Sequence, residues 1–243
     1  MASIAPKDRL IVALDFPQVG PAEALVRRLG PAVSFYKVGL ELAMAGGLDL
    51  ARRLKDAGKQ VFLDVKLLDI ENTVERATRA AAATGATFLT VHATDGKTLR
   101  AAAAGKAGTS LRILGVTVLT NLDAGDLAEQ GIAETPSDLA ARRAALAVAA
   151  GCDGIVASGL EAAAVRRAVG PGVAIVTPGI RAHGGPAGDQ MRVATPQSAI
   201  AAGADYLVVG RPIAEAADPV AAAAAFVRDI EEALAARDSA TSA

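Results

Sequence analysis

The feature that most constrains the fold is a repeated unit in which a helical segment ends at a glycine and a short apolar run follows. The unit recurs at residues 58–63, 85–91, 151–156 and 203–209. Glycine is favoured just after a helix because the chain often turns there through a left-handed backbone conformation. Short, continuous apolar runs that alternate with helices indicate parallel strands buried on both faces of a sheet.

Eight apolar runs are predicted to be strands, near residues 10–14, 33–38, 60–64, 87–91, 111–118, 154–157, 173–177 and 206–209. Predicted helices lie between them, at residues 21–29, 48–57, 72–84, 138–150, 160–169 and 198–202. Eight strand–helix units in 243 residues predict an α/β fold, a single-domain (β/α)₈ TIM barrel over residues 1–236 with a frayed C-terminal tail at 237–243. A doubly wound open sheet is the main alternative. The long connections at 121–137 and 181–196 suggest functional loops.

The composition limits the kinds of partner that we expect this protein to bind. A net charge of −1 and a pI near 6.2 give no overall field that would attract nucleic acid or an anionic membrane. The apolar runs are too short to span a membrane, and the N-terminal segment has no signal-peptide pattern. The single cysteine, Cys152, excludes an internal disulfide. We therefore expect a soluble, cytoplasmic protein without nucleic-acid or membrane partners.

An array of alternating charges follows the third predicted strand. Asp64 and Lys66 are two residues apart, so their side chains point the same way from a strand, and Asp69 lies beyond the strand end. Lys37, at the end of the second strand, is placed to join them. Carboxylates on either side favour the ammonium form of Lys66, which suits a proton donor or a cation that stabilises a carbanion better than a Schiff-base nucleophile. The simpler alternative is a structural salt bridge.

A predicted anion site follows the last strand. Gly210 allows a close backbone approach and Arg211 supplies a planar guanidinium. The loops after strands seven and eight of such barrels commonly bind phosphate, and Arg181 and Gln190 lie in the loop after strand seven. The alternatives are a surface arginine and, for Gln190, a solvated loop amide.

Metal and cofactor sites are not indicated. The two histidines, His92 and His183, lack the spacing of a metal site, and the chain has no dinucleotide-binding glycine motif or P-loop. We expect His92 to be a hydrogen-bonded structural group and Cys152 to be an unreactive core residue.

Several segments together resemble the orotidine 5′-phosphate decarboxylase family over nearly the full chain. They are residues 10–15, 36–39, 64–70 with Asn72 and Thr73, 117–120, 177–181, 189–190 and 208–213. The Asp-x-Lys-x-x-Asp element, with a lysine on the preceding strand, is the most specific of these segments. The resemblance implies decarboxylation of orotidine 5′-phosphate to UMP without a cofactor, in a homodimer whose active sites lie at the subunit interface.

The resemblance also implies a role for each matching residue. Lys37, Asp64 and Lys66 of one chain would act with Asp69 of the other, and Lys66 would protonate C6 of the base. The residues implied to bind substrate are Asp15, Lys37, Ile70, Thr73, Thr120, Arg181, Gln190, Gly210 and Arg211. Ile70 and Thr73, like Asp69, would reach into the partner's site.

Two other functions remain open at this stage. A Mg²⁺-dependent 3-keto sugar phosphate decarboxylase has a similar segment but carries a glutamate where this chain has Lys37. A catalytically silent protein that binds phosphoribosyl ligands is the alternative outside enzymes.

Overall fold

Eight parallel strands pair in sequence order in this computed structural model, and the last pairs with the first, so the sheet closes into a barrel. The structure describes residues 4–182 and 194–241. The strands are β1 (Leu10–Ala13), β2 (Phe35–Gly39), β3 (Gln60–Leu67), β4 (Phe88–His92), β5 (Arg112–Val116), β6 (Gly154–Val156), β7 (Ala174–Thr177) and β8 (Tyr206–Val209). The predicted barrel is confirmed, and the doubly wound alternative is wrong because an open sheet has two edge strands, whereas the pairing of β1 with β8 leaves this sheet with none.

Helices connect the strands and surround the barrel. In chain order they are α1 (Pro6–Arg9), α2 (Val19–Leu29), α3 (Leu40–Leu42), α4 (Leu48–Asp56), α5 (Glu71–Ala82), α6 (Gly96–Gly105), α7 (Ala124–Glu129), α8 (Pro136–Ala149), α9 (Ala162–Val169), α10 (Pro196–Ala201), α11 (Arg211–Ala214) and α12 (Pro219–Thr241). A 3₁₀ turn at Gly30–Ala32 and a π-helical segment at Ala43–Gly47 complete the described elements.

Several expectations for the connections need correction. The segment at 121–137 is not a plain loop, because α7 lies within it and Asp123 caps the helix by accepting from the amides of Gly125 and Asp126. Helix α6, which the sequence analysis does not predict, is capped by Asp95. Residues 237–241, expected as a tail, continue α12. The domain boundary at 236 stays a prediction.

Two apolar layers hold the barrel together. The larger lies between the sheet and the helices, and the smaller fills the barrel interior with residues that include Phe35, Phe62, Phe88 and Tyr206. The Phe88 ring is 5.2 Å from the rings of Phe35 and Tyr206, measured between centroids, and 5.8 Å from that of Phe62. Close-packed rings leave little freedom for the strands that carry them.

The interior layer determines where polar side chains emerge. Side chains alternate along a strand, so the residue two positions after an interior residue faces the same way. Asp15, Lys37 and Asp64 each follow an interior residue (Ala13, Phe35 and Phe62) by two positions. The same rule brings Thr90 of β4 and Gly210 after β8 to the C-terminal mouth of the barrel, above Phe88 and Val208.

Cys152 is a core residue, as the sequence analysis expects. The Cys152 side chain is buried, and burial, with Asp153 nearby, raises the pKa of its thiol to about 12, which makes it a poor nucleophile.

In the described part of the chain, no helix is both long enough and apolar enough to cross a membrane.

Candidate active site

A cavity of about 470 Å³ opens at the C-terminal ends of the strands. Strands from all round the barrel contribute to it, which is where (β/α)₈ enzymes place their active sites. The predicted site residues that line it are Asp15, Lys37, Asp64, Lys66, Thr120, Arg181, Gly210 and Arg211. Apolar residues, among them Phe62, Val116 and Val156, form much of the remaining wall. The cavity therefore combines a charged side with an apolar surface.

The charged side is a continuous chain of ion pairs. Lys37 Nζ lies 2.8 Å from Asp15 Oδ1 and 3.5 Å from Asp64 Oδ2, and Lys66 Nζ lies 2.8 Å from Asp64 Oδ1. Charges therefore alternate along Asp15, Lys37, Asp64 and Lys66, and each cation touches a carboxylate. Gly39 leaves room for this chain, because a Cβ there would lie 2.7 Å from Asp15 Oδ1.

Asp64 is at the centre of this chain of ion pairs, and its side chain is only 14% exposed to solvent. Burial alone would raise the pKa of Asp64, but the ammonium groups of Lys37 and Lys66, with hydrogen bonds from Lys66 and Thr90, outweigh it and lower the pKa. Burial would likewise lower the pKa of Lys37, yet Asp64 and Asp15 outweigh it and raise the pKa. Asp64 and Lys37 are therefore both charged at neutral pH despite their burial.

Strand β3 is irregular where it carries the site. It extends to Leu67, beyond the end expected near residue 64, and its register against β4 shifts between Leu63 and Leu67. Lys66 has φ +49°, and it is the one non-glycine residue with positive φ in the described ranges. Such a conformation costs roughly 1–3 kcal/mol and is concentrated at functional sites. The backbone at Lys66 is therefore locally less stable than that of a regular strand.

Thr90 of β4 is a site residue that the sequence analysis missed. Its fully buried hydroxyl lies 3.0 Å from Asp64 Oδ1 and 2.9 Å from the Lys66 amide nitrogen. The available signal was its position, since a polar residue two places after Phe88 interrupts an otherwise apolar strand.

Three of the predicted anion-binding residues, Gly210, Arg211 and Arg181, line the same cavity. Gly210 follows β8 directly, and Arg211 begins α11 with an exposed side chain. The Arg181 side chain is buried and donates from Nη1 to the Ile180 carbonyl, while its amide bonds to the Ala194 carbonyl. Two arginines from the loops after β7 and β8 thus line the same cavity as the ion-pair chain.

Three predicted residues are not part of this cavity wall, and a fourth lies outside the described residues. Asp69, Ile70 and Thr73 follow β3 and are exposed, and Asp69 Oδ1 accepts from the Ile70 amide. Within one chain, Asp69 therefore does not flank Lys66 as the sequence pattern predicts. Gln190, like His183, lies outside the described residues.

His92 lies at the C-terminal end of β4, at the mouth of the barrel. His92 ends β4, where burial, helped by Lys66 and Arg143, lowers its pKa and favours the neutral ring. In residues 4–182 and 194–241, no three His, Cys, Asp or Glu side chains are grouped in a way that could hold a metal ion.

The fold and the cavity define the class of protein: a (β/α)₈-barrel enzyme whose cavity is lined by a lysine–carboxylate centre and two arginines. The model of the orotidine 5′-phosphate decarboxylase / HUMPS family matches residues 8–226. The chain therefore belongs to this family.

Individual relatives agree with this assignment. The chain is 57% identical over 232 residues to an orotidine 5′-phosphate decarboxylase of a Bradyrhizobium species, covering 96% of this chain and 95% of the relative. It is 58% identical over 231 residues to the protein of the same name from Methylorubrum extorquens, covering 95% and 99%. The crystal structure of orotidine 5′-phosphate decarboxylase from Lactobacillus acidophilus aligns with a TM-score of 0.80 at 35% identity, covering 91% of this chain and 98% of that one.

The geometry predicts that Asp64 is needed for stability. We expect Asp64→Asn to lower the free energy of unfolding by about 3 kcal/mol at neutral pH, the lower end for breaking a buried ion pair, because Asp15 still offsets part of the Lys37 charge. Urea denaturation measures the change. The control is Asp49→Asn, since Asp49 pairs with Arg52 on the exposed face of α4, where such pairs contribute at most about 1 kcal/mol. Equal stabilities of the two variants would contradict this account of Asp64.

Proposed function

We propose that this protein decarboxylates orotidine 5′-phosphate to UMP and CO₂, with Lys66 stabilising and then protonating C6 of the base. The observation that carries the proposal is that one cavity is lined both by Lys66, within the ion-pair chain, and by Arg181 and Arg211. A nucleotide bound with its phosphate at the arginines would extend its ribose and base towards the charged side. The family membership and the names of the relatives support the same reaction.

The reaction needs a cation at one carbon atom. When the bond between C6 and the carboxylate breaks, CO₂ leaves and the electron pair stays on C6, where the ring delocalises it poorly. The Lys66 ammonium group would stabilise this charge and transfer one proton to C6, which gives UMP. A preorganised charge in a water-poor site stabilises such a state far more than water does.

Asp64 would have two effects on the bound substrate. It holds Lys66 Nζ at 2.8 Å, which sets the position of the proton donor. It would also place a second buried negative charge beside the substrate carboxylate, which would disfavour the ground state relative to the neutral CO₂ that leaves.

The proposed contacts for the rest of the substrate follow the cavity wall. Asp15 and Lys37, joined at 2.8 Å, would bind the ribose hydroxyls, and Thr120 would face the base. Gly210, Arg211 and Arg181 would bind the 5′-phosphate, with Gln190 from the loop after β7. Binding energy at the distant phosphate can then be used to align the base with Lys66.

A spectrophotometric assay tests the proposal directly. The orotate absorbance should fall when the protein is added to orotidine 5′-phosphate, at the same rate with and without EDTA. Loss of the activity in EDTA would favour the Mg²⁺-dependent relative, and UMP binding without turnover would favour a silent binding protein.

Lys66 is predicted to be essential for turnover. We expect Lys66→Ala to lower kcat by at least about 10³-fold, because one group both stabilises the carbanion and delivers the proton. The circular dichroism spectrum should stay unchanged. Lys55→Ala is the control, since Lys55 is exposed near the end of α4 that leads into the opposite mouth of the barrel. Turnover of the Lys66 variant near that of the control would refute the assigned role.

Arg211 is predicted to act through the phosphate. We expect Arg211→Ala to lower kcat/KM by about 10–10²-fold, as expected for the loss of a charge-assisted hydrogen bond. Inhibition by UMP should weaken in parallel, whereas inhibition by uridine, which has no phosphate, should not change. Equal effects on UMP and uridine would remove Arg211 from the phosphate site.

We also propose that the active form is a homodimer in which Asp69, Ile70 and Thr73 complete the partner's site. All three are exposed in the single chain. Of the seven large apolar side chains exposed in the described residues, five follow the neighbouring strands β2 and β3: Leu40, Met44, Leu48, Leu68 and Ile70. An apolar surface next to an incomplete active site is what an interface between two copies would cover.

Hybrid dimers test the shared site. We expect Lys66→Ala and Asp69→Ala to be nearly inactive alone and to recover about one quarter of wild-type activity after refolding together, because half of the dimers would be hybrids with one intact site of two. The control mixture, Lys66→Ala with Asp64→Ala, should recover nothing, since both residues belong to the same chain. Absence of recovery in the first mixture would contradict the shared site.

A further inference from the structure

One residue of β4 lies opposite the irregular part of β3. Leu63 pairs with Leu89 and Leu67 pairs with Val91, so residues 64–66 lie opposite Thr90 alone. Three residues facing one cannot all make regular ladder hydrogen bonds. A buried amide that has no backbone partner must donate to a side chain or to an ordered water.

The Thr90 hydroxyl supplies that bond and a second one. The Lys66 amide nitrogen donates to Thr90 Oγ1 at 2.9 Å. An amide can only donate, so the hydroxyl accepts from it and directs its own proton to Asp64 Oδ1, 3.0 Å away. Thr90 is 0% exposed, so solvent cannot replace the hydroxyl.

Both the backbone and the ammonium group of Lys66 depend on this hydroxyl. Asp64 Oδ1, which accepts from Thr90, also accepts from Lys66 Nζ at 2.8 Å. Thr90 thus contacts the Lys66 backbone directly and reaches its ammonium group through a single carboxylate oxygen. The Lys66 backbone has φ +49°, a conformation that persists only where its surroundings hold it.

We propose that Thr90 is a positioning residue for the decarboxylation: its hydroxyl holds the Lys66 backbone and the Asp64 carboxylate together, and so sets where the Lys66 ammonium group lies. This inference rests on the proposed function and extends it to a residue that lies outside the cavity wall. Thr90 acts through Asp64 and Lys66, so its removal displaces the proton donor without removing a contact to the phosphate or the ribose.

Two substitutions of Thr90 distinguish the effect of its hydroxyl from the effect of its side-chain shape. Thr90→Val keeps the branched shape and removes both hydrogen bonds, whereas Thr90→Ser keeps the hydroxyl. Thr78→Val is the matched control, because Thr78 is also fully buried and its hydroxyl has no hydrogen-bond partner in the described structure.

We expect Thr90→Val to lower kcat by about 10–10²-fold, the effect of a misplacement of about 1 Å in a catalytic group. KM for orotidine 5′-phosphate and the Kd of UMP should stay within about threefold, since an interaction used only in the transition state affects kcat. Thr90→Ser should retain most of the activity, and Thr78→Val should match the wild type.

Three results would overturn the inference. These are a Thr90→Val variant with wild-type kcat, a Thr90→Ser variant as impaired as Thr90→Val, and a loss of UMP affinity as large as the loss of kcat. If Thr90→Val does not fold, Thr90→Ser against Thr90→Ala makes the same comparison. A wild-type protein without decarboxylase activity would refute the proposed function, whereas an active wild type with an unimpaired Thr90→Val variant would refute this inference alone.

Discussion

The rest of the site depends on one buried carboxylate held between two ammonium groups. Asp64 contacts Lys66 at 2.8 Å and Lys37 at 3.5 Å, and together with Asp15 it outweighs the burial that would otherwise lower the pKa of Lys37. With Asp15, the chain of ion pairs has two positive and two negative charges, so the barrel mouth carries a nearly neutral group. Closure of the sheet makes this possible, because β1, β2 and β3 are neighbours whose C-terminal ends meet.

The apolar interior strengthens the interactions among these charges. The rings of Phe35, Phe62 and Phe88 pack below the cavity, and polar side chains emerge two residues further along the same strands. Charges that lie on a close-packed apolar layer interact more strongly than charges in water, because the surroundings do not reorient to screen them. The same packing gives the strands the rigidity that distances of 2.8 Å between the charged groups require.

Prediction from the sequence was accurate for strands and uneven for connections. All eight predicted strands overlap the observed ones, because a glycine followed by an apolar run marks the end of a helix and the start of a buried strand. Helix α6 was missed because it begins and ends with glycine, and residues 237–241 were assigned to a tail because their polar composition obscured the continuation of α12. The charges at the barrel mouth were predicted because alternation along a strand needs only local geometry.

The sequence alone determined the barrel, the strands that end in charged residues and the resemblance to a known family, because all three are properties of spacing along the chain. Only the tertiary structure decided which of these residues share a cavity. Thr90 joins Asp64 and Lys66 because the register of β3 against β4 shifts after Leu63, and no pattern in either strand specifies that shift. Asp69 faces outward for a related reason: it lies beyond the end of β3, where alternation no longer determines direction.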